Sequence, residues 1–126
     1  MKNPNELSRL KVLFIDDDHL LRRSMSYYFK NKVFFFLALE NAEQALERME
    51  KDPSHFDVVI CDQRLPGMDG LTFFERLGVR LPDLKKILVT AHVNGDLEER
   101  SRRMGIAHFI SKPFDGERIE RAITGP

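Results

Sequence analysis

Phe56-Asp57-Val58-Val59-Ile60-Cys61-Asp62-Gln63-Arg64-Leu65-Pro66-Gly67-Met68-Asp69-Gly70 is the stretch that decides how this chain folds. The unbroken apolar run Val58 to Cys61 predicts a strand buried on both faces, since a half-solvated strand would alternate apolar with polar residues. The run stops at a carboxylate, and Pro66, Gly67 and Gly70 then force a turn. Asp62 is thereby predicted at the carboxyl end of a strand, where open parallel sheets bind ligands. A single Asp there could merely start the turn, so its meaning depends on how the other strands end.

They end in chemistry too. Upstream, Lys11-Val12-Leu13-Phe14-Ile15 is a second buried run, and it stops at Asp16-Asp17-Asp18. From His19 the pattern becomes helical, with Leu21, Met25, Tyr28 and Phe29 on one face, and one of Asp17 and Asp18 is expected to cap that helix. Val33 to Ala38 is aromatic and β-branched enough to be a strand. Asn41 then caps a helix carrying Ala42, Ala45, Leu46 and Met49, which Asp52-Pro53-Ser54 ends. After Gly70, Leu71, Phe73, Phe74 and Leu77 give a short helix closed by Gly78.

Leu81-Pro82-Asp83 is a turn, and Lys86 to Thr90 is a strand ending in a hydroxyl. Asp96 to Met104 reads as a solvated helix with Glu98/Arg102 and Glu99/Arg103 four residues apart, broken by Gly105. Ala107 to Ser111 is a strand ending in Lys112-Pro113, and Asp115 to Ile123 is a helix that contacts the core through Ile119, Ala122 and Ile123. Asn3-Pro4-Asn5 lies in a polar leader, residues 1–9, that reads as loose. Strands alternating with helices through short loops imply a doubly wound five-stranded parallel sheet with right-handed crossovers. The common strand order, 2-1-3-4-5, sets the first and third strands side by side.

Length and composition agree with one domain over residues 1–126, folded over 10–124. With 126 residues, 42% of them hydrophobic, the chain can bury roughly two-thirds of its unfolded surface in a single core. Twenty Lys and Arg balance twenty Asp and Glu, so no net basic field draws nucleic acid or an anionic membrane to this domain alone. The one cysteine, Cys61, excludes an internal disulfide and reads as filling of the central strand. Val12 to Ile15 is too short for a signal peptide or membrane span, which leads to the expectation of a soluble, cytoplasmic protein.

The strand ends collect Asp16, Asp17, Asp62, Thr90 and Lys112 at one rim. Three carboxylates so close need a cation, and a few hard oxygen ligands without a dedicated cage describe a weak Mg²⁺ site. A carboxylate beside such an ion, with a lysine ammonium and a hydroxyl, is what a carboxylate needs to attack a phosphoryl group and hold the product. Asp62 is the better nucleophile, because it ends the central strand and the Gly/Pro loop after it leaves room for a donor. The adjacent pair Asp16 and Asp17 is better suited to the metal.

Val12-Leu13-Phe14-Ile15-Asp16-Asp17-Asp18, Asp62 with Leu65-Pro66-Gly67-Met68-Asp69-Gly70, Val89-Thr90-Ala91 and Ser111-Lys112-Pro113-Phe114 together resemble the receiver domain of two-component response regulators, over about residues 10 to 124. The resemblance implies a flavodoxin-like (βα)5 three-layer sandwich, similar to the chemotaxis receivers. It implies that Asp62 accepts a phosphoryl group from a phosphohistidine on a sensor histidine kinase or histidine phosphotransfer protein, or from a small phosphodonor. It further implies Mg²⁺ ligation by Asp17, Asp62 and the carbonyl of Arg64, with Asp16 acting through water. Lys112 would pair with the phosphate, Thr90 would move to it, and Phe109 would rotate inward as the switch aromatic. The Lys112-Pro113 bond is expected to be cis. Arg64 and His92 fall at positions that in this family set how long the phosphoryl group survives.

Such a module is a signalling switch rather than a conventional enzyme, with self-catalysed phosphotransfer and slow autodephosphorylation. Its changed surface is read by a downstream protein, an effector domain or a second copy of the chain. Ala42 departs from a glycine common in the family, a harmless change in a helix. Phe34-Phe35-Phe36 is unusually aromatic for an edge strand and reads as packing beneath the helices rather than as a partner-binding edge. His19, His55 and His108 show no ligand spacing and read as surface or filler. A rival reading is a phosphatase of the haloacid-dehalogenase type with Asp16 as nucleophile, but no acidic pair follows Lys112 at a further strand end and there is no cap segment to enclose a substrate. A receiver fold used purely for docking is the other rival, against which stands the full set of site residues. The sequence stops directly after the last predicted helix, as it would for a stand-alone receiver or for one domain of a longer regulator.

Overall fold

The computed structural model describes residues 4–52, 55–78, 81, 83–92, 94–106 and 108–125. The elements in chain order are α1 (Pro4–Leu7), β1 (Lys11–Ile15), α2 (His19–Phe29), β2 (Phe35–Leu39), α3 (Ala42–Lys51), β3 (Val58–Asp62), α4 (Gly70–Leu77), β4 (Lys85–Thr90), α5 (Gly95–Arg103), β5 (His108–Ser111) and α6 (Gly116–Thr124). The strands form one parallel sheet, as the alternation of strands and helices implies, in the order β2-β1-β3-β4-β5, the common doubly wound order expected from the sequence. The register runs Lys11↔Phe35 through Ile15↔Leu39 on one side of β1, and Val12↔Val58 through Ile15↔Cys61 on the other. All five residues of β3 are buried, which is why its sequence carries no alternation.

Side chains leave each strand to opposite faces and so build two cores. Leu13, Ile15, Val59, Cys61 and Leu88 pack with α3, α4 and α5. Val12, Phe14, Val58, Ile60, Ile87 and Val89 pack with α2 and α6. Fully buried rings such as Phe14, Phe29 and Phe73 each stabilise the fold by about 1.5–3 kcal/mol relative to exposure. The aromatic run divides as its alternation dictates. Phe36 stacks on Phe29 at 5.1 Å and on Phe14 at 6.0 Å, Phe35 packs against His55 and Phe56 on the other face, and Phe34 is 73% exposed. Packing therefore accounts for two rings of the three, and His55 fills space between Phe35 and Phe56.

Several boundaries differ from the expectations. The leader contains the one-turn helix α1, because Leu7 and Leu10 pack against the α2/α6 core and tie that segment down. β2 starts at Phe35 instead of Val33, since the Val33 amide still donates to Phe29 O at the exit of α2. The cap of α2, expected to be one of Asp17 and Asp18, is as expected and is Asp18, which accepts from the amides of Leu20 and Leu21. Asp115 is the cap of α6 rather than its first residue, and Asn94 caps α5, which begins at Gly95. Asn3, Pro53, Ser54, Pro82 and Ala107, assigned above to the leader, a helix end, a turn and a strand start, lie outside the described residues. Among the described residues no helix is long and apolar enough to cross a membrane.

Candidate functional site

Asp16, Asp17, Asp62, Thr90 and Lys112 come from the ends of β1, β3, β4 and β5 and lie at the same rim of the sheet. β1 pairs with β3, so Asp16 and Asp17 leave the sheet beside Asp62, and oxygens of the three carboxylates lie within 4.8 Å of one another. Asp16 is buried, and its Oδ1 accepts the Asp18 amide at 2.9 Å. The guanidinium of Arg22 donates to the Asp16 carbonyl at 2.9 Å and fixes the end of β1. Asp17 is exposed, turned toward the cleft that Gln63, Arg64 and Gly67 also line.

Lys112 reaches across this cluster. Its Nζ donates to Asp62 Oδ2 at 2.8 Å and lies 3.2 Å from Asp16 Oδ2. A cis Lys112-Pro113 bond follows β5, and the Lys112 amide donates to Thr90 O at 3.0 Å, extending the β4/β5 pairing by one step. Burial pushes the Asp62 carboxyl above its ordinary value; Lys112 pulls it down and Asp16 pushes it further up, with the net shift upward. Burial alone would lower the Lys112 ammonium, but its contacts with Asp62 and Asp16 outweigh that and raise it. One ammonium against three carboxylates leaves two negative charges uncompensated at the rim.

That deficit is the test of fit for Mg²⁺. Hard oxygen donors are present, one of them on an exposed residue where water can complete the shell, and the excess charge matches a dication. The loop after Asp62 frames the other side. Gly70 must be glycine, because a Cβ there would lie 2.7 Å from the Asp62 carbonyl oxygen and 2.9 Å from Leu88 Cδ1. The Arg64 amide points at Asp62 Oδ1 over a long 3.4 Å.

The Thr90 hydroxyl is engaged with the turn that follows it, accepting the His92 amide at 3.2 Å and lying 3.3 Å from His92 O. Phe109 is half-buried against the core layer of α3, α4 and α5, its carbonyl accepting from Arg118 at 3.3 Å. Arg64 and His92 are exposed beside the loops that follow β3 and β4. Sequence reasoning missed Arg22, Gln63 and Glu43. Gln63 closes the loop through Leu71 and Asp69, and Glu43 accepts the Met68 amide 25 residues away. No motif in the sequence marks such reach; Glu43 in particular looks like an ordinary first-turn acid of a helix.

Residues 12–124 match the family model described as the response regulator receiver domain. The chain is 36% identical over 108 residues to the C4-dicarboxylate transport transcriptional regulatory protein DctD of Rhizobium meliloti, an alignment covering 86% of this chain and 23% of that protein. It is 29% identical over 113 residues to the sporulation initiation phosphotransferase F of Bacillus subtilis, covering 90% of each. The chain thus spans about a quarter of the first relative and nearly all of the second. Among solved structures, the non-phosphorylated HemR receiver domain from Leptospira biflexa superposes with a TM-score of 0.80 at 27% identity, covering 94% of this chain and 97% of that one. A CheY-like receiver domain protein from Methanospirillum hungatei gives a TM-score of 0.83 at 24% identity, with 92% and 91% covered.

Proposed function

Because this chain belongs to the response regulator receiver domain family, the phosphoacceptor modules of two-component signalling, we propose that Asp62 is the residue that takes the phosphoryl group. The observation that carries the reading is Lys112 Nζ at 2.8 Å from Asp62 and 3.2 Å from Asp16, within a cluster that is still short of positive charge. A carboxylate oxygen of Asp62 attacks the phosphorus of a phosphohistidine on a sensor kinase or phosphotransfer protein. The new P–O bond forms as the P–N bond breaks, and the electron pair returns to the imidazole nitrogen, which picks up a proton. Lys112 is placed to follow the oxygen it already binds and to neutralise the transferred group.

Asp17, Asp62 and the carbonyl of Arg64 would hold Mg²⁺, with Asp16 acting through water. When bound, the ion supplies charge neutralisation on the phosphoryl oxygens. Asp16 is the weaker nucleophile of the two, since its Oδ1 holds the Asp18 amide at 2.9 Å, whereas the amide that points at Asp62 Oδ1 lies at a long 3.4 Å. Thr90 would exchange its contacts with His92 for the phosphoryl oxygens, drawing its loop inward and letting Phe109 follow. That two-state change in the β4–α5–β5 region would be read by a downstream protein, an effector domain or a second copy of the chain. We place this single receiver domain in the cytoplasm, with Arg64 and His92 screening the acyl phosphate from water.

Incubation with acetyl phosphate, followed by intact-mass measurement, tests the assignment. Wild type is expected to gain one phosphoryl group in Mg²⁺ and none in chelator, and Asp62→Asn none in either. Labelling that survives Asp62→Asn but is lost in Asp16→Asn would overturn it. In the same assay, Arg64→Ala combined with His92→Ala is expected to shorten the lifetime of the phosphoryl group; an unchanged lifetime rules out the screening role.

A further inference from the structure

Residues 63–69 leave the sheet rim and return to α4 without a ladder of their own, so side chains must set their shape. The base of the loop is closed internally. Gln63 Oε1 accepts the Leu71 amide at 2.8 Å, Gln63 Nε2 donates to Asp69 Oδ2 at 3.3 Å, and the Gly70 amide donates to Gln63 O at 3.2 Å. The tip is held from outside. Glu43, in the first turn of α3, accepts the Met68 amide through Oε2 at 2.9 Å.

Gly67 borders the same carboxylate oxygen. Its φ is +78°, and a Cβ at that position would collide with Glu43 Oε2, so the carboxylate occupies space that a glycine leaves open. Leu65 and Met68 pack partly buried against the α3/α4/α5 core, whereas Arg64, Pro66 and Gly67 are exposed, so the backbone between the two apolar anchors depends on polar contacts. This tip, together with the exposed Asp17, walls the cleft beside the carboxylate cluster.

We propose that Glu43 is a positioning residue for the Mg²⁺ site. By holding the Met68 amide it fixes the chain from Arg64 to Met68, and so the Arg64 carbonyl, relative to Asp17 and Asp62. The inference rests on the metal ligation set out in the previous subsection. Glu43 acts through the hydrogen bond that its Oε2 accepts from the Met68 amide, a role that needs an acceptor atom and not a net charge. A neutral acceptor of the same length should therefore serve.

The test compares Glu43→Ala and Glu43→Gln with wild type, using calorimetric Mg²⁺ titration and, in the metal-free protein, hydrogen exchange of the Met68 amide by NMR. Glu43→Ala is expected to weaken Mg²⁺ binding about tenfold, the low end for a residue that supports a ligand without touching the metal. It is also expected to speed Met68 exchange, while Glu43→Gln stays near wild type in both. An unchanged Mg²⁺ affinity in Glu43→Ala overturns the inference, as does a Glu43→Gln variant as weak as Glu43→Ala. A urea unfolding curve shows that each variant is folded. Asp17→Asn separates this failure from failure of the metal site itself: if wild type binds no Mg²⁺, or Asp17→Asn binds it equally well, the ligand assignment falls first and the positioning role with it.

Discussion

Two lysines at opposite rims of the sheet differ in what they pair with, and the difference separates the proposed phosphoacceptor rim from the rim that closes helices. Lys112, just past β5 at the carboxyl ends, faces Asp62 at 2.8 Å and Asp16 at 3.2 Å. Lys86, near the start of β4 and 5% exposed, donates at 3.1 Å to the carbonyls of Gly78 and Met104, the residues that terminate α4 and α5. Burial lowers the Lys86 ammonium, and the carbonyl dipoles do not reverse it. Burial also works against Lys112, yet the full charges beside it win and raise it. The amino-end rim spends a cation on partial charges and closes two helices, whereas the carboxyl-end rim keeps more negative charge than its lysine can answer. That leftover negative charge would attract a metal, and only its neutralisation would let an anionic phosphoryl donor approach.

The strongest way to break that contrast is to remove each cation by an apolar chain of similar length. Lys112→Met is expected to slow Asp62 phosphorylation by acetyl phosphate about a hundredfold, the usual loss when one group that stabilises transition-state charge is deleted. Lys86→Met should leave the phosphorylation rate and Mg²⁺ affinity unchanged while costing about 2 kcal/mol of stability, because two helix-terminal carbonyls lose their donor. Rates from intact-mass time courses and urea midpoints read the two effects separately. Comparable slowing in Lys86→Met would show that the two rims are not independent.

Much of the carboxyl-end rim is legible in the sequence because each functional residue ends a strand whose buried run is unmistakable. Val58 to Cys61 and Val12 to Ile15 are short apolar runs bounded by acids and turn residues, which favours strands, and the observed order is the common one for alternating strands and helices. What is hidden are contacts made by ordinary surface residues over long separations. Glu43 reaches Met68, Arg22 turns back to the Asp16 carbonyl, and Tyr28 donates to Glu120 at 2.8 Å while its ring covers Gly116. The amino-end rim is hidden for the same reason, since Lys86 reads as the polar edge of a strand until α4 and α5 are seen to end against it. The β2 boundary differs from the sequence expectation because Val33 favours a strand locally, while the turn leaving α2 holds its amide.

The smallest expected effect is a difference of sign in alkaline solution. Lys86 has a folded-state value below its ordinary 10.5, so as pH rises toward 10.5 the unfolded chain holds the proton more tightly than the folded one. Its burial penalty is relieved over that window, and stability gained by wild type relative to Lys86→Met should rise with pH. Lys112 is the reverse: its folded value lies above 10.5, the folded chain holds the proton more tightly, and its contribution is complete below 10.5 and lost as pH climbs through the folded value. Tyr28, held up to about 12 by burial and by its bond to Glu120, also loses stability over the high-pH range. Wild type alone therefore mixes opposing trends, and only differences against the two Met variants separate them. Urea unfolding in chelator from about pH 8 to about pH 11, the range in which lysines titrate, should give slopes of opposite sign for the two differences. Slopes of the same sign would mean that carbonyl dipoles and carboxylates hold these two ammonium groups alike, and the physical distinction between the rims would fail.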